Sequence, residues 1–420
     1  MTITDDNPPG TTGPDWLAAQ RREAADAVSA AEAPTTEIEE WRYSPVADVT
    51  ASDYTSVTDA VREVPDLTAV APLLTGAAGV VVTRNGRIVS FDVAGVAPAV
   101  VSSLTEGDSP GALGTVMAEP PDVFAQMSIA EAAEPIGITI PAGKVLEAPI
   151  VIVHVIDADA ARVGCRLAIS AGEASQVSVV EIVISPDDVS ALYLPTLEMD
   201  VADAANVSYV NVQMLGRRTV QISSHAARVG AQSQLAAGLV ALGGSYGRIR
   251  LDYDLIGRGA SVDLCGAYVA DGDQTLDFRA FQNHVGADTT SDLLFVGTLD
   301  DTSRSVYTGT IRIGEDAPGT NAFQTNRNLK LSDDARAESV PNLEIENNDV
   351  RCSHASTVGP IDPEQRFYLE SRGVPPKMAE RLIVGGFFEA VLGRLPVATV
   401  RAPLRAILSE RLDAELGVTV

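Results

Sequence analysis

The stretch Arg248-Ile249-Arg250-Leu251-Asp252-Tyr253-Asp254-Leu255-Ile256 alternates charged with apolar side chains. Successive side chains of an extended chain point to opposite faces. The stretch therefore reads as a strand with one dry face and one wet face. Apolar runs of strand length recur at 136–140, 150–156, 177–184, 207–214, 235–242, 262–269 and 305–313. Helical periodicity is absent for roughly 200 residues after position 134. Turns of small residues separate the runs, beginning at Gly172 (GEAS), Ala204 (AANV), Gly230 (GAQS), Gly259 (GASV) and Gly286 (GADT), at intervals of 32, 26, 29 and 27. A strand-and-turn unit repeated at this period predicts a β-solenoid, because one coil cannot bury its apolar face alone and stacked coils share a core. A β-sandwich also has many short strands and is the alternative.

The flanks read differently. Residues 1–14 are polar and carry Pro8, Pro9, Gly10, Gly13 and Pro14, which predicts a mobile tail. Residues 16–33 are rich in Ala and Glu and read as a helix stopped at Pro34. Further on, 79–83 and 87–91 read as strands joined through Asn85-Gly86, a type I′ hairpin signal. Asp362-Pro363-Glu364-Gln365 has the form of a helix start, with Asp at the N-cap and Pro at the first position. That helix is expected to end at Gly373, a second to open at Pro375-Pro376, and a third to span 403–416. The predicted organisation is a tail (1–14), a helical and mixed region (15–133), a β core (134–361) and a helical region (362–420).

With 30 basic and 57 acidic residues the formal charge is −27. A positive surface is what nucleic acid or an anionic membrane requires, so neither is expected as a partner. The basic residues are nearly all Arg, Lys being confined to Lys144, Lys330 and Lys377, which reads as genome composition. The three cysteines, Cys165, Cys265 and Cys352, are odd in number and form no CxxC, which argues for a reducing, cytoplasmic compartment rather than a disulfide framework. MTITDDNPPG has no apolar segment and is not expected to be a signal peptide. The longest apolar stretches, 234–244 and 382–393, fall short of the ~20 residues that span a bilayer.

No Walker P-loop, GxSxG, HExxH or EF-hand loop is present. His154 lies inside an apolar run and reads as a satisfied strand residue. His225 and His284 stand near turns and receive no function. Cys165 and Cys265 read as small buried hydrophobes. Cys352-Ser353-His354 differs: residues i and i+2 of a strand face one space, so a thiol and an imidazole meet there. The pair suits a nucleophile or half of a site for a soft or borderline metal. If a metal binds, further ligands must come from elsewhere. Glu364 and Glu370 read as solvated helix carboxylates. Trp41 with Tyr43 reads as a packing anchor. Phe387 and Phe388 are adjacent and point to different helix faces, with Phe387 the one expected inside.

The segment SVPNLEIENNDVRCSHASTVGPIDPEQRFYLESRGV (339–374) resembles the C-terminal signature of the SufB/SufD family, the scaffolds of the SUF iron–sulfur cluster assembly system. EEWRY (39–43), IPAGKVLEAPIVIVH (140–154), TNAFQTNRNLKLSDDARAES (320–339) and AERLIVGGFFEAVL (379–392) agree in order. CSHASTVGPID (352–362) and EEWRY resemble the SufD branch. A SufB-like chain would carry a cysteine where Ile345 stands, and would read EHEATTS where this chain reads SHASTVG.

The resemblance implies a right-handed parallel β-helix flanked by helical regions, and a non-catalytic scaffold. It implies a complex with a SufB-like chain and a SufC-like dimeric ABC ATPase, supplied with sulfur at one remove by a cysteine desulfurase. A homodimer is the alternative state of the isolated chain. His354, with Cys352 beside it, is implied to hold a nascent iron–sulfur cluster shared with SufB, and the C-terminal helices to dock the ATPase through Phe387, Phe388 and Val391. Reduced flavin is linked to such complexes, although the chain has no flavin motif. ATP belongs to the partner. The competing readings are a SufB-like paralogue, a polysaccharide-active enzyme on a β-helix, a purely structural solenoid and a Cys–His hydrolase. Two Trp residues are few for a polysaccharide cleft.

Overall fold

The computed structural model describes residues 13–57, 61–93, 96, 101–106 and 111–416. All but the last two residues of the expected tail lie outside them. The chain winds into a parallel β-solenoid of about eight turns with two strands per turn. One strand of each turn joins sheet A, which runs from Ile136–Ile140 through Tyr246–Leu255 to Arg336–Ile345. The other joins sheet B, from Ile150–Val155 through Ser261–Ala270 to Val350–Pro360. Each sheet has ten strands once the short N-terminal strands are included. The solenoid, not the sandwich, is the outcome.

A left-handed residue sits at one corner of successive coils: Ala174, Ala204, Gln232, Gly259, Asp288 and Gly319 all have positive φ. Each donates its N–H to a carbonyl one coil further on: Ala174 to Asp203, Ala204 to Ala231, Gln232 to Arg258, Gly259 to Ala287, Asp288 to Pro318 and Gly319 to Asp349, at 2.8–3.0 Å. The corner thus continues the sheet ladders around the bend and leaves its donors satisfied. The predicted hairpin is present, with Asn85 at φ 49° and Gly86 at φ 79° between Gly79–Arg84 and Arg87–Asp92.

Alternate side chains fill the interior. Early coils use Ile138, Ile152, Ile169 and Val179, and later ones a run of rings. Tyr268, Phe278, Phe295 and Tyr307 follow one another with centroids 4.8, 5.4 and 5.1 Å apart, in the range of favourable aromatic pairing. Outside, helices α1 (Asp15–Ala30) and α2 (Val123–Glu131) pack together over part of sheet A. After the solenoid come α3 (Pro363–Ser371), α4 (Pro376–Leu392) and α5 (Ala398–Leu416). The Asp362 side chain accepts from the Glu364 N–H at 2.9 Å, as its N-cap position requires. Helix α5 begins five residues before the expected 403. Pro403 lies within it and forgoes one helical hydrogen bond, while Val400, Leu404, Leu408 and Leu412 bury against sheet B and α4. Among the described residues no helix is long and apolar enough to cross a membrane.

The alternating stretch that announces the strands corrects one expectation. Its charged face is not wet at Arg248, which is 1% exposed. The 39–53 segment lies over it: the Arg248 guanidinium stacks 3.9 Å from the Trp41 ring centroid and bonds the Asp277 carboxylate at 2.7 Å. Arg279 bonds the same carboxylate at 2.6 Å and the Arg42 carbonyl at 2.7 Å, and Ser44 donates to Asp277 at 2.5 Å. Trp41 is the anchor expected of it, whereas Tyr43 stays exposed with φ 68°.

Candidate functional site

Val350–Pro360 is the last strand of sheet B, paired on one edge with Thr320–Lys330 and, among the described residues, with no strand on the other. Arg336–Ile345 ends sheet A in the same way. The alternation of the strand brings Cys352, His354, Ser356 and Val358 to the side that faces sheet A. On the opposite strand Ser339, Pro341, Leu343 and Ile345 share the corresponding side, and the Ser356 hydroxyl meets that of Ser339 at 2.8 Å. Among the described residues no further coil covers this layer, so side chains that would be interior elsewhere are open: Ile345 is 44% and Val358 42% exposed.

Within this layer Cys352 is half-buried beside Ile311, Ile313, Ala322 and Leu343. Burial pushes its thiol pKa up, so it is a protonated thiol at neutral pH until a metal or a cation draws off the proton. His354 is exposed one register step along, beside Gln324. The structure thus brings the two expected residues to one face of one strand at the open end of the solenoid. Among the described residues no group of three or more His, Cys, Asp and Glu could hold a metal ion. Cys352 and His354 offer two donors of the kind that suits iron, and any fuller ligand set must come from outside those residues. Ile345 occupies the facing terminal strand with its side chain toward the open layer.

The other candidates lie on other elements. Glu364 is exposed and Glu370 bonds Arg366 at 2.8 Å, the solvated carboxylates expected. His154 is buried and satisfied, with Nδ1 2.7 Å from the Thr83 hydroxyl and Nε2 3.0 Å from Glu181. Burial opposes its charging, but Cys165 and Glu181 outweigh that and push its pKa up to about 10. Tyr209 donates to the second oxygen of Glu181. His225 is not at a turn but mid-strand, and burial pushes its pKa down to about 4. Cys265 is buried under the C-terminal helices, where burial raises its thiol to about 12.

The helix α4 expectations need correction. Phe388, at 1% exposure, and Val391, at 0%, fill the core between α4, α5 and sheet B. They have no free surface with which to anchor a partner. Phe387, expected inside, is the half-buried one, and the Arg327 guanidinium lies 5.2 Å from its ring centroid. The sheet lies on the Val384–Phe388–Val391 side of the helix, a choice that adjacent phenylalanines in sequence do not reveal. Residues outside the sequence reading also belong to the site. Gln324 and Asn326 stand one strand beneath His354 and Ser356, buried at 1% exposure each.

Comparison with known proteins identifies the family. The family model described as "SUF system FeS cluster assembly, SufBD core domain" matches residues 154–387, more than half of the chain. The chain belongs to the SufBD family. Among its relatives, an iron–sulfur cluster assembly SufBD family protein of Mycobacterium tuberculosis is 39% identical over 229 residues, 53% of this chain and 58% of that protein. The match therefore spans little more than half of that relative's length. The iron–sulfur cluster assembly protein SufD of Bacillus subtilis is 31% identical over 279 residues, 65% of this chain and 63% of its own. The Escherichia coli protein of the same name is 24% identical over 392 residues, covering 90% of this chain and 89% of its own.

Proposed function

We propose that the chain is a scaffold subunit of the SUF system, in which Cys352 and His354 hold part of a nascent iron–sulfur cluster that a SufB-like partner completes. The observation that carries this is the open terminal coil. Two sheet edges end side by side, their unpaired backbone groups ready to accept further strands, and a thiol and an imidazole face the same uncovered layer. An incomplete donor set at an edge that invites a partner is what a shared site requires. His354 would supply a neutral ring nitrogen, and Cys352 a thiolate once iron displaces its proton. The cluster is cargo, passed on rather than retained. A SufC-like ATPase would work on the C-terminal helices, where Leu382 is 46% exposed beside the groove lined by Arg381, Gly385 and Gly386. We assign ATP and flavin no residue of this chain.

The reading is tested on tagged protein purified anaerobically from its own cells. The expected native mass is that of a complex containing a SufB-like chain and a dimeric ABC ATPase. A lone monomer or homodimer under these conditions counts against it. His354→Ala should leave the melting temperature nearly unchanged, since the side chain is exposed, and should abolish cluster supply in vivo. Unchanged supply would sink the assigned role.

A further inference from the structure

The coil beneath the open layer is lined with amides. Thr320–Lys330 directs Gln324, Asn326 and Asn328 into the interior, at 1%, 1% and 3% exposure. A buried amide left without partners is costly, so each must be bonded. Asn326 and Asn328 bond one another at 2.8 Å, and both bond the Tyr268 hydroxyl, at 3.2 and 2.5 Å.

Gln324 does something else: it crosses to the opposite sheet. Tyr307 donates to its Oε1 at 3.2 Å, and its Nε2 donates to the carbonyls of Gly309, at 3.1 Å, and Asn342, at 3.3 Å. Asn342 belongs to the terminal strand of sheet A, and Gly309 to the strand before it. Gly309 is the register partner of Pro341. Gln324 thus adds a side-chain bridge from the opposite sheet beside the backbone ladder. Only glycine admits it: a Cβ at Gly309 would lie 1.9 Å from Gln324 Oε1 and 2.6 Å from the Tyr307 oxygen. Gln324 is also the register partner of His354, so its amide is the next inward side chain beneath the imidazole, about 4.8 Å away along the stack.

We propose that Gln324 is a positioning residue: by bridging the sheets one layer below the open end, it sets the gap between the strand carrying Pro341 and the strand carrying Cys352 and His354. This rests on the reading that those two residues hold the cluster. The gap itself can be measured without any cluster. Ser339→Cys with Ser356→Cys places thiols where hydroxyls now sit 2.8 Å apart, close enough for a disulfide. In the full-length chain this pair should oxidise readily. Adding Gln324→Met, which keeps the volume but loses the donors, should cut the disulfide yield several-fold, and so should Gln324→Asn, which stays polar but is too short to cross. The Asn variant keeps the test open should the Met variant not fold. In cells, Gln324→Met should lower cluster supply by about tenfold, the range seen when an outer partner of a metal ligand is removed. Undiminished disulfide yield in both variants overturns the strut, whatever the cells show. A smaller yield with full cluster supply overturns the positioning role. Full supply with His354→Ala is a separate failure, of the site reading itself, and takes this inference with it.

Discussion

Asp277→Asn isolates what holds the N-terminal segment to the solenoid. The Asp277 carboxylate is fully buried between two guanidinium groups that are each 1% exposed, Arg248 at 2.7 Å and Arg279 at 2.6 Å. It also accepts from Ser44 at 2.5 Å and from the Tyr246 hydroxyl at 3.2 Å. The amide preserves shape but removes the charge, leaving two buried cations facing one another. Removing one partner of a buried ion pair costs about 3–5 kcal/mol, because the remaining charge is uncompensated. Arg248 keeps the Glu40 carbonyl and the Trp41 ring, and Arg279 keeps the Arg42 carbonyl and Thr308. All of these but Thr308 depend on the segment staying docked, so the loss should appear as its release. Urea unfolding should show the drop in stability, and trypsin should cut after Arg42 far faster than in the parent chain. The same group sets an acid limit. Burial alone would raise the Asp277 pKa, but Arg248 and Arg279 outweigh it and hold the carboxyl below its ordinary value. A depressed carboxyl stabilises fully above its unfolded pKa and loses that stability as pH falls through the folded one, so the parent chain should release the segment only in strong acid. A loss below about 1 kcal/mol, with Arg42 still protected, would refute the charge latch and leave Trp41 packing as the anchor.

Two further outcomes are expected. Burial pushes both His225 and His284 down to about 4. A depressed histidine keeps its stability contribution above the unfolded pKa near 6.5 and loses it as pH falls through about 4, an effect on the order of 3 kcal/mol for each. Urea midpoints measured from pH 7 to pH 4 should therefore fall, and His225→Gln should flatten that slope; an unchanged slope would mean His225 is not buried neutral. Gly297→Ala should destabilise by about 1–3 kcal/mol or more, since its Cβ would lie 1.9 Å from the Tyr268 ring on the adjoining strand. A melting temperature equal to the parent's would show that the aromatic run can shift aside.

Much of the coil pattern is legible because burial imposes it locally. Ile152, Val179 and Leu264 must alternate with outward residues for any sheet to close over them, and the small-residue turns mark each bend. The strand Thr320–Lys330 escapes that reading for a physical reason. Its interior positions include Gln324 and Asn326, so its inward face does not look dry in sequence. In Thr320–Lys330 alternation alone would turn Phe323 inward and the amides out, yet Phe323 is 38% exposed and Gln324 1%. Register within the stack decides that, because a strand pairing with two neighbours must keep their inward set.

The sequence by itself determined the parallel coil, its approximate period, the family to which the chain belongs and the Cys352–His354 pairing on one strand face. These follow from local alternation and from a motif carried in contiguous residues. The tertiary structure alone decided that this strand is the last of its sheet, that its inner face is left open, and that Gln324 reaches across to brace it. It also decided that Arg248 lies beneath the 39–53 segment and that Phe388 rather than Phe387 turns inward. Each of these depends on what lies against a side chain from a distant part of the chain, and burial, charge pairing and edge exposure are set by those neighbours rather than by residues adjacent in sequence.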